Sequence, residues 1–496
     1  MMSQDNLEAP RLAQSSPLRA GVGRSDITVE TPDRPVRDRL FAKVLAFDDG
    51  QTRLAIVTMD AVAIGGICDI EDHFLPEVRQ RIESEFGIPG AHTLFNASHT
   101  HPPGRILCSH EQLIERTVAA VREAMRDLNE VTVGAGEGHE DQIIMNRNLR
   151  LKNGKHWTIR HANPCPPEED IAGVGPIDPE IGILRVDRLD GRPLAVVYNF
   201  GCHLLFGDML GSITGNIPAI ASQIVEDELG EGVMAFFLQG AAGDIIDTGF
   251  KNLTKARSIE AMGRKLGEQV LSCSRKISTE EGKLSVISRD VELPRRTDIL
   301  GRVEKLKTEQ AELLKSLRYT TLNFKSFLNL YLQQSLNPKY PSADSWSYLQ
   351  EESQGNDDRA AMDAFNQNLI QKYQHNIRAM ERLAAIQDEI ATFLRQEEIN
   401  RVSGRETITA QIQGIRIGDY TLISAPIEVL TEVGMNVKKA SPYEHTYIAA
   451  FSNGYMHYGP PADTYDKGGY EVTECFLAPE WQEVFESTAR DILQRI

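Results

Sequence analysis

Paired cysteines are missing from this chain. Its six cysteines, Cys68, Cys108, Cys165, Cys202, Cys273 and Cys475, are scattered with no C-x-x-C among them. Neither a zinc ribbon nor a disulfide framework is expected. Long apolar runs are missing too, since none approaches the roughly 18 to 20 residues that cross a bilayer. The first residues, "MMSQDNLEAPRLAQSSPLRAG", have no apolar centre of the kind a signal peptide needs. A cytoplasmic location is therefore expected, with residues 1–18 a mobile tail. Positive charge is in deficit: 53 Lys and Arg against 71 Asp and Glu leave a formal net charge of −18. That argues against nucleic acid and anionic membrane as partners, because both select a basic footprint. A small-molecule substrate suits the balance better. Internal repeats are also absent.

What is present is a strand–loop–helix rhythm. Residues 40–47, "LFAKVLAF", and 54–59, "LAIVTM", read as strands of a hairpin around "DDGQ". Residues 72–86 read as a helix closed by Gly87 with Pro89 beyond it. "HTLFNAS" is a short buried strand, and Ile114, Val118, Val121 and Met125 mark a helix by their spacing. "PLAVVYNFG" and "GVMAFFLQG" are further buried strands. The pattern predicts an α/β fold, mixed β-sheets covered by helices. Near residue 298 the texture changes. Leu300, Val303, Leu306, Leu313 and Leu314 form one apolar stripe. Ile370, Tyr373, Ile377, Met380, Leu383, Ile386 and Ile390 form another, near heptad spacing. A long helical-hairpin insertion over 298–398 is expected, acting as a lid or as an element of a homo-oligomer. It divides a domain made of 19–297 and 399–496. From 405, "ETITAQIQGIRIGDYTLISAPIE" alternates about a Gly-Asp turn as a hairpin does.

Four places share one feature, a ligand-type side chain just past the end of an apolar strand. His99 and His101 follow "TLFNAS", His203 follows "AVVYNFGC", Glu428 follows "YTLISAPI" and Tyr458 follows "TYIAAFSNGYMH". Loops at one sheet edge are where sites collect in α/β proteins. Two imidazoles, a carboxylate and a phenol suit Zn²⁺ and leave a position for water. Each residue also has a plainer reading. The H-x-H is a hydrogen-bonded turn, His203 a buried histidine, Glu428 a helix cap and Tyr458 a core tyrosine. Asp60 and Asp244 are candidates to hold ligand histidines, or else serve turns and caps.

The chain resembles the neutral (non-lysosomal) ceramidase family along most of its length outside 298–398. "GVGRSDIT" is similar to that family's "GxGxxDIT", and "ASHTHPPG" to its "GTHTHSGP" loop. "YNFGCHLLFGDMLGSITGNIPAIAS" resembles "NWxxxHPTxM…SGDxxGYAS", and "FFLQGAAGD" resembles "AFxxxNxGD". "ISAPIEVLTEVG" looks like "xxxPGExTTxxG", and "SNGYMHYGPPADTYDKGGYE" looks like "xNxYxHYxxTxxEYxxQxYE". The resemblance implies Zn²⁺ bound by His99, His203, Glu428 and Tyr458. It implies His101 beside the metal, and Tyr470 and Arg147 as active-site donors. The implied chemistry is hydrolysis of an amide C–N bond by zinc-activated water. The alternatives are an esterase or lactonase, and a non-catalytic scaffold that keeps the metal site.

Substrate-side positions depart from the family. Ile246 stands in "GDIIDT" where the family's "GDVSPN" has serine, and Asn216 stands in "TGN" where it has the aspartate of "SGD". With Asp244, these are the residues expected to meet substrate. The family's C-terminal immunoglobulin-like domain is not expected after the "YE" motif. A compact polar amide is therefore expected rather than ceramide.

Overall fold

The computed structural model describes residues 16–160, 165–205, 207, 211–248 and 258–496. Of the expected tail, residues 1–15 lie outside the described residues. The first hairpin pairs Phe41–Asp48 with Arg53–Met59, from Ala42 opposite Met59 to Asp48 opposite Arg53. Its turn is closed by acidic side chains: Asp48 accepts from the Gly50 N–H (2.7 Å) and Asp49 from Gln51 (2.9 Å) and Thr52 (2.7 Å). Alternation along Phe41–Asp48 sorts the strand by face. Ala42, Val44 and Ala46 enter one apolar cluster, Leu45 and Phe47 another.

Eight strands form the main sheet in the spatial order Met234–Gln239, Pro193–Phe200, Glu180–Arg188, Asn129–His139, Arg19–Asp26, Phe41–Asp48, Arg53–Met59, Thr93–Ala97. The last pair is parallel, as are Pro193–Phe200 and Met234–Gln239. A four-stranded sheet runs Leu284–Pro294, Thr407–Ile417, Tyr420–Ser424, Thr446–Ala449. Its first hairpin turn falls at Gly418, with φ +59°. Leu45, Phe47, Leu94, Val197 and Phe236 of the first sheet share a core with Ile415, Ile417, Leu422 and Tyr447 of the second. Burying each such side chain stabilises the fold by roughly 1.5–3 kcal/mol.

Helices cover the outer faces. Phe74–Phe86 ends at Gly87 in the left-handed region, as the Gly-Pro signal predicts. His110–Arg126 opens with a capping box between Ser109 and Gln112 and buries Ile114, Val118 and Val121. Trp481–Leu493 buries Phe485, Ala489 and Ile492. The fold is the mixed α/β arrangement of helix-covered sheets.

The two edge strands of the main sheet meet. The Asn96 Oδ1 accepts from the Gln239 N–H (2.9 Å), while its Nδ2 donates to the Ala450 carbonyl (2.6 Å) and Ser452 Oγ (3.0 Å). Strands at opposite ends of the sheet order thereby end side by side.

Residues 297–405 form a separate compact unit. Ile299–Ser316 and the 46-residue Asp358–Ser403 are its long arms, and Phe324–Leu336 and Ser345–Ser353 lie between them in the chain. The arms pack Ile299, Val303 and Leu306 with Ile386, Ile390 and Phe393. Arg382 joins them by a two-pronged contact to Glu309 (2.7 and 2.9 Å). Not all of the expected stripe residues turn inward, as Leu300, Leu314 and Met380 are more than half exposed.

Candidate metal centre

Strand Thr93–Ala97 delivers Ser98 and His99 past its end. The Ser98 N–H donates to the Met59 carbonyl (2.9 Å) and the His99 N–H to that of Ala61 (2.8 Å). His99 takes a left-handed backbone (φ +64°), and Phe451 (φ +55°), its ring 4.1 Å from the imidazole, does the same. A non-glycine residue there costs on the order of 1–3 kcal/mol, a strain that clusters at functional sites. Strand Pro193–Phe200 delivers Cys202 and His203. One buried side chain couples the two ends. The Gln239 Nε2 donates to the carbonyls of Ser98 (2.9 Å) and Cys202 (2.7 Å), and its Oε1 accepts from the Cys202 N–H (3.0 Å).

Three imidazoles converge as a result. His99 Nε2 lies 2.9 Å from His203 Nε2 and 2.9 Å from His101 Nε2, and the last two are 3.3 Å apart. Glu428 Oε2 stands 3.7 Å from His99 Nε2 and 3.8 Å from His203 Nδ1. Glu428 and Tyr458 are direct partners in a two-residue parallel ladder, which puts both side chains on one face. The Tyr458 hydroxyl accepts from Arg147 Nη2 (3.0 Å), and the Tyr470 ring meets that of Tyr458 edge-on at 5.4 Å. Arg147 is buried, with Nε donating to Glu471 (2.8 Å) and Nη2 to the Gly243 carbonyl (2.8 Å).

The donor set fits a divalent cation. His99 Nδ1 lies 2.6 Å from the Val62 carbonyl, which assigns its proton to Nδ1 and bares the Nε2 lone pair that faces the other two rings. Burial, with the neighbouring imidazoles adding to it, holds His99 and His203 well below the usual histidine range, so both are neutral near pH 7. Among the described residues, Glu428 Oε2 is buried without a hydrogen-bond partner. Zinc–nitrogen bonds of about 2.0–2.1 Å in tetrahedral geometry separate ligand nitrogens by roughly 3.3 Å, near the spacings here. Burial pushes the Glu428 carboxyl up to about 7, although the Tyr455 hydroxyl donates to its Oε1.

This is a ceramidase-like fold. The neutral ceramidase from Pseudomonas aeruginosa superposes with a TM-score of 0.60 over 97% of this chain and 75% of its own, at 16% identity. A ceramidase complexed with C2 aligns equally well, with a TM-score of 0.60 over 96% of this chain and 75% of its own, again at 16% identity. No family model matches the chain, and no curated protein matches it.

Within the ceramidase-like fold, the structure also places the other expected residues. Among the described residues Asp60 bonds no histidine: it accepts from the Phe41 N–H (2.9 Å) and lines a separate cavity of about 370 Å³. The Val62 carbonyl takes the role expected of it. Asp244 holds the start of helix Thr431–Ala440, accepting from the Thr431 N–H (2.9 Å) and Oγ1 (2.7 Å), and from Asn146 Nδ2 (2.7 Å). Ile246 is fully buried with Leu149 and Ile159. Asn216, left-handed at φ +63°, reaches the carbonyl of Leu204 next to His203 (3.4 Å). Sequence reasoning passed over Tyr455, Gln239 and Glu471. The signal for Gln239 was an amide ending the otherwise apolar "MAFFLQ". For Glu471 it was the acidic half of "YE".

Proposed function

We propose that this chain is a zinc-dependent hydrolase that cleaves the C–N bond of an amide in a small or polar substrate. The observation that carries the reading is the convergence of three imidazole Nε2 atoms beside a buried carboxylate oxygen that has no hydrogen-bond partner among the described residues. His99, His203, Glu428 and Tyr458 would hold the ion. Zinc in such a site polarises a carbonyl and lowers the pKa of water to about 7. The remaining work falls to the chain. His101 is only partly buried, whereas His99 and His203 are sealed. It can carry a proton from the attacking water to the leaving amine. Burial pushes the Tyr470 hydroxyl up to about 12, so it keeps its proton at neutral pH and can donate to the developing oxyanion. Arg147 acts through Tyr458, which it orients, rather than on substrate.

Both structural neighbours are named for ceramide, itself an amide. A compact amide is the substrate favoured here, because Ile246 offers no hydroxyl and packs in an apolar cluster. The test is metal analysis joined to turnover of an amide panel, an ester panel and long-chain ceramide. The reading expects metal-dependent turnover of a compact polar amide. Full activity after exhaustive chelation would overturn the metal assignment, and efficient turnover of long-chain ceramide would overturn the substrate class.

A further inference from the structure

A second group of ligand-type side chains sits outside the centre described above. His73 is the N-cap of helix Phe74–Phe86 and makes no side-chain capping bond. His110 is the first residue of helix His110–Arg126. Their rings lie 4.2 Å apart. One ligand atom each from Glu71, His73 and His110 falls within 4.8 Å of the other two. Glu77, one helical turn from His73, touches both rings: its Oε2 is 3.1 Å from His110 Nε2 and its Oε1 is 4.0 Å from His73 Nε2. Glu71 Oε2 is 3.4 Å from His73 Nε2.

We propose that Glu71, His73 and His110, with Glu77, form a surface site for a borderline divalent cation of the zinc, nickel or copper type. Imidazole with carboxylate is the donor mixture those ions select, and a magnesium or calcium site would use oxygen alone. His110 is the fixed member. Its side chain is 13% exposed and stands edge-on to buried Phe74, with ring centroids 6.4 Å apart. The other three side chains are about half exposed, at 53% for His73, 57% for Glu71 and 49% for Glu77. They can close the roughly 1 Å that bond lengths of about 2.0–2.2 Å require. The existing contacts do not prevent this, because exposed ion pairs hold their members loosely.

One effect opposes the site. Both helices point their N-termini at it, and that end of a helix repels a cation. The carboxylates outweigh this partial charge, since Glu71 and Glu77 are joined by Glu111 in the first turn of the second helix. A bound ion would clamp the start of one helix to the start of the other, and the segment carrying His99 and His101 lies between them in the chain. The proposal uses no residue of the buried centre and stands whether or not that centre binds zinc.

The test uses the untagged full chain, stripped with a chelator and dialysed against graded ZnCl₂. Wild type should bind one more zinc than the His73→Ala/His110→Ala double variant, whatever the count at the buried centre. His99→Ala/His203→Ala should keep the outer ion. Immobilised Ni²⁺ gives a second readout that a buried centre cannot reach: wild type is retained and the His73→Ala/His110→Ala variant flows through. Glu77→Gln, which leaves both imidazoles in place, should raise the zinc dissociation constant of the outer site severalfold. Equal zinc counts in wild type and the double variant, or equal retention on the resin, would overturn the proposal.

Discussion

Gln239 offers the sharpest test of how the centre is assembled. Its amide is fully buried and makes three hydrogen bonds, two to Cys202 and one to Ser98. These residues immediately precede His203 and His99. Gln239→Met keeps length and bulk but removes every bond. Two carbonyls and one N–H are then left buried and unmatched. At about 1–3 kcal/mol for each stranded group, with incomplete additivity, the loss is on the order of 3–6 kcal/mol. Part of it will appear as lower global stability. The rest will appear at the centre, because Gln239 bonds the ends of both histidine strands at once, beside the Thr100–Leu204 bridge that also joins them. Outer partners of metal ligands typically contribute about 10–100-fold in affinity, so the zinc dissociation constant should rise by that order. The assay is chelator competition for zinc, paired with thermal unfolding of the stripped and loaded protein. A variant with a lowered unfolding midpoint but wild-type zinc affinity would refute the coupling. A variant unchanged in both would refute the hydrogen-bond reading itself.

Three further outcomes are expected. His203→Ala should lose the tightly held ion, whereas Tyr470→Phe should keep it and lose about 10²–10³ in kcat, the usual effect of deleting one oxyanion donor; metal analysis beside steady-state kinetics checks both. Gly243→Ala would place a Cβ 2.6 Å from the Glu428 carbonyl oxygen, so it should displace Glu428 and weaken metal binding, as competition titration would report. Asp60→Asn tests pH linkage. Burial raises the Asp60 carboxyl to about 6 in the folded chain from an ordinary value of 3.8. Between those pH values the folded state holds a proton that the unfolded state releases, so this group erodes stability as pH rises from about 4 to 6. The erosion persists at pH 7. Relative to wild type, the Asn variant should therefore gain up to about 3 kcal/mol across that window, read from denaturant curves at several pH values, and a difference independent of pH would count against the shift.

The fold class was legible because its signals are local. Short apolar runs bounded by Gly, Asp and Pro predict strands whichever neighbours they find, and Gly87 with Pro89 marks a helix end by its own chemistry. The meeting of His99, His101, His203 and Glu428 was legible as a shared position past strand ends and through the family resemblance, not from any local signal. What brings the three histidines together is the approach of the sheet's two edges, through Asn96, Gln239 and the Thr100–Leu204 bridge, while Glu428 arrives on its separate ladder with Tyr458. That approach is tertiary, and in the sequence Asn96 and Gln239 are single polar residues in apolar strands. Asp60 misled for a related reason. A carboxylate near a candidate ligand histidine is easy to see, but the Val62 carbonyl bonded to His99 is backbone and leaves no mark on residue identity. In the insertion, heptad spacing marked a face wider than the one packed, so Leu300 and Met380 stay in solvent.

The ladder that pairs Glu428 with Tyr458 bears on how such a protein can drift over generations. Twenty-nine residues separate the two in the chain, yet their juxtaposition depends on two backbone hydrogen bonds, Glu428 N–H to the His457 carbonyl (2.9 Å) and Leu430 N–H to that of Gly459 (3.2 Å). Lengthening or shortening the turn at 441–445 leaves those bonds intact. A lineage can therefore change the numerical spacing freely and lose nothing at the centre. A single residue gained or lost within 457–459 has the opposite effect, turning the phenol to the far face. Distant kin of this chain should thus be sought by a short E-V and H-Y-G pairing with an elastic gap, because register is inherited here where spacing is not.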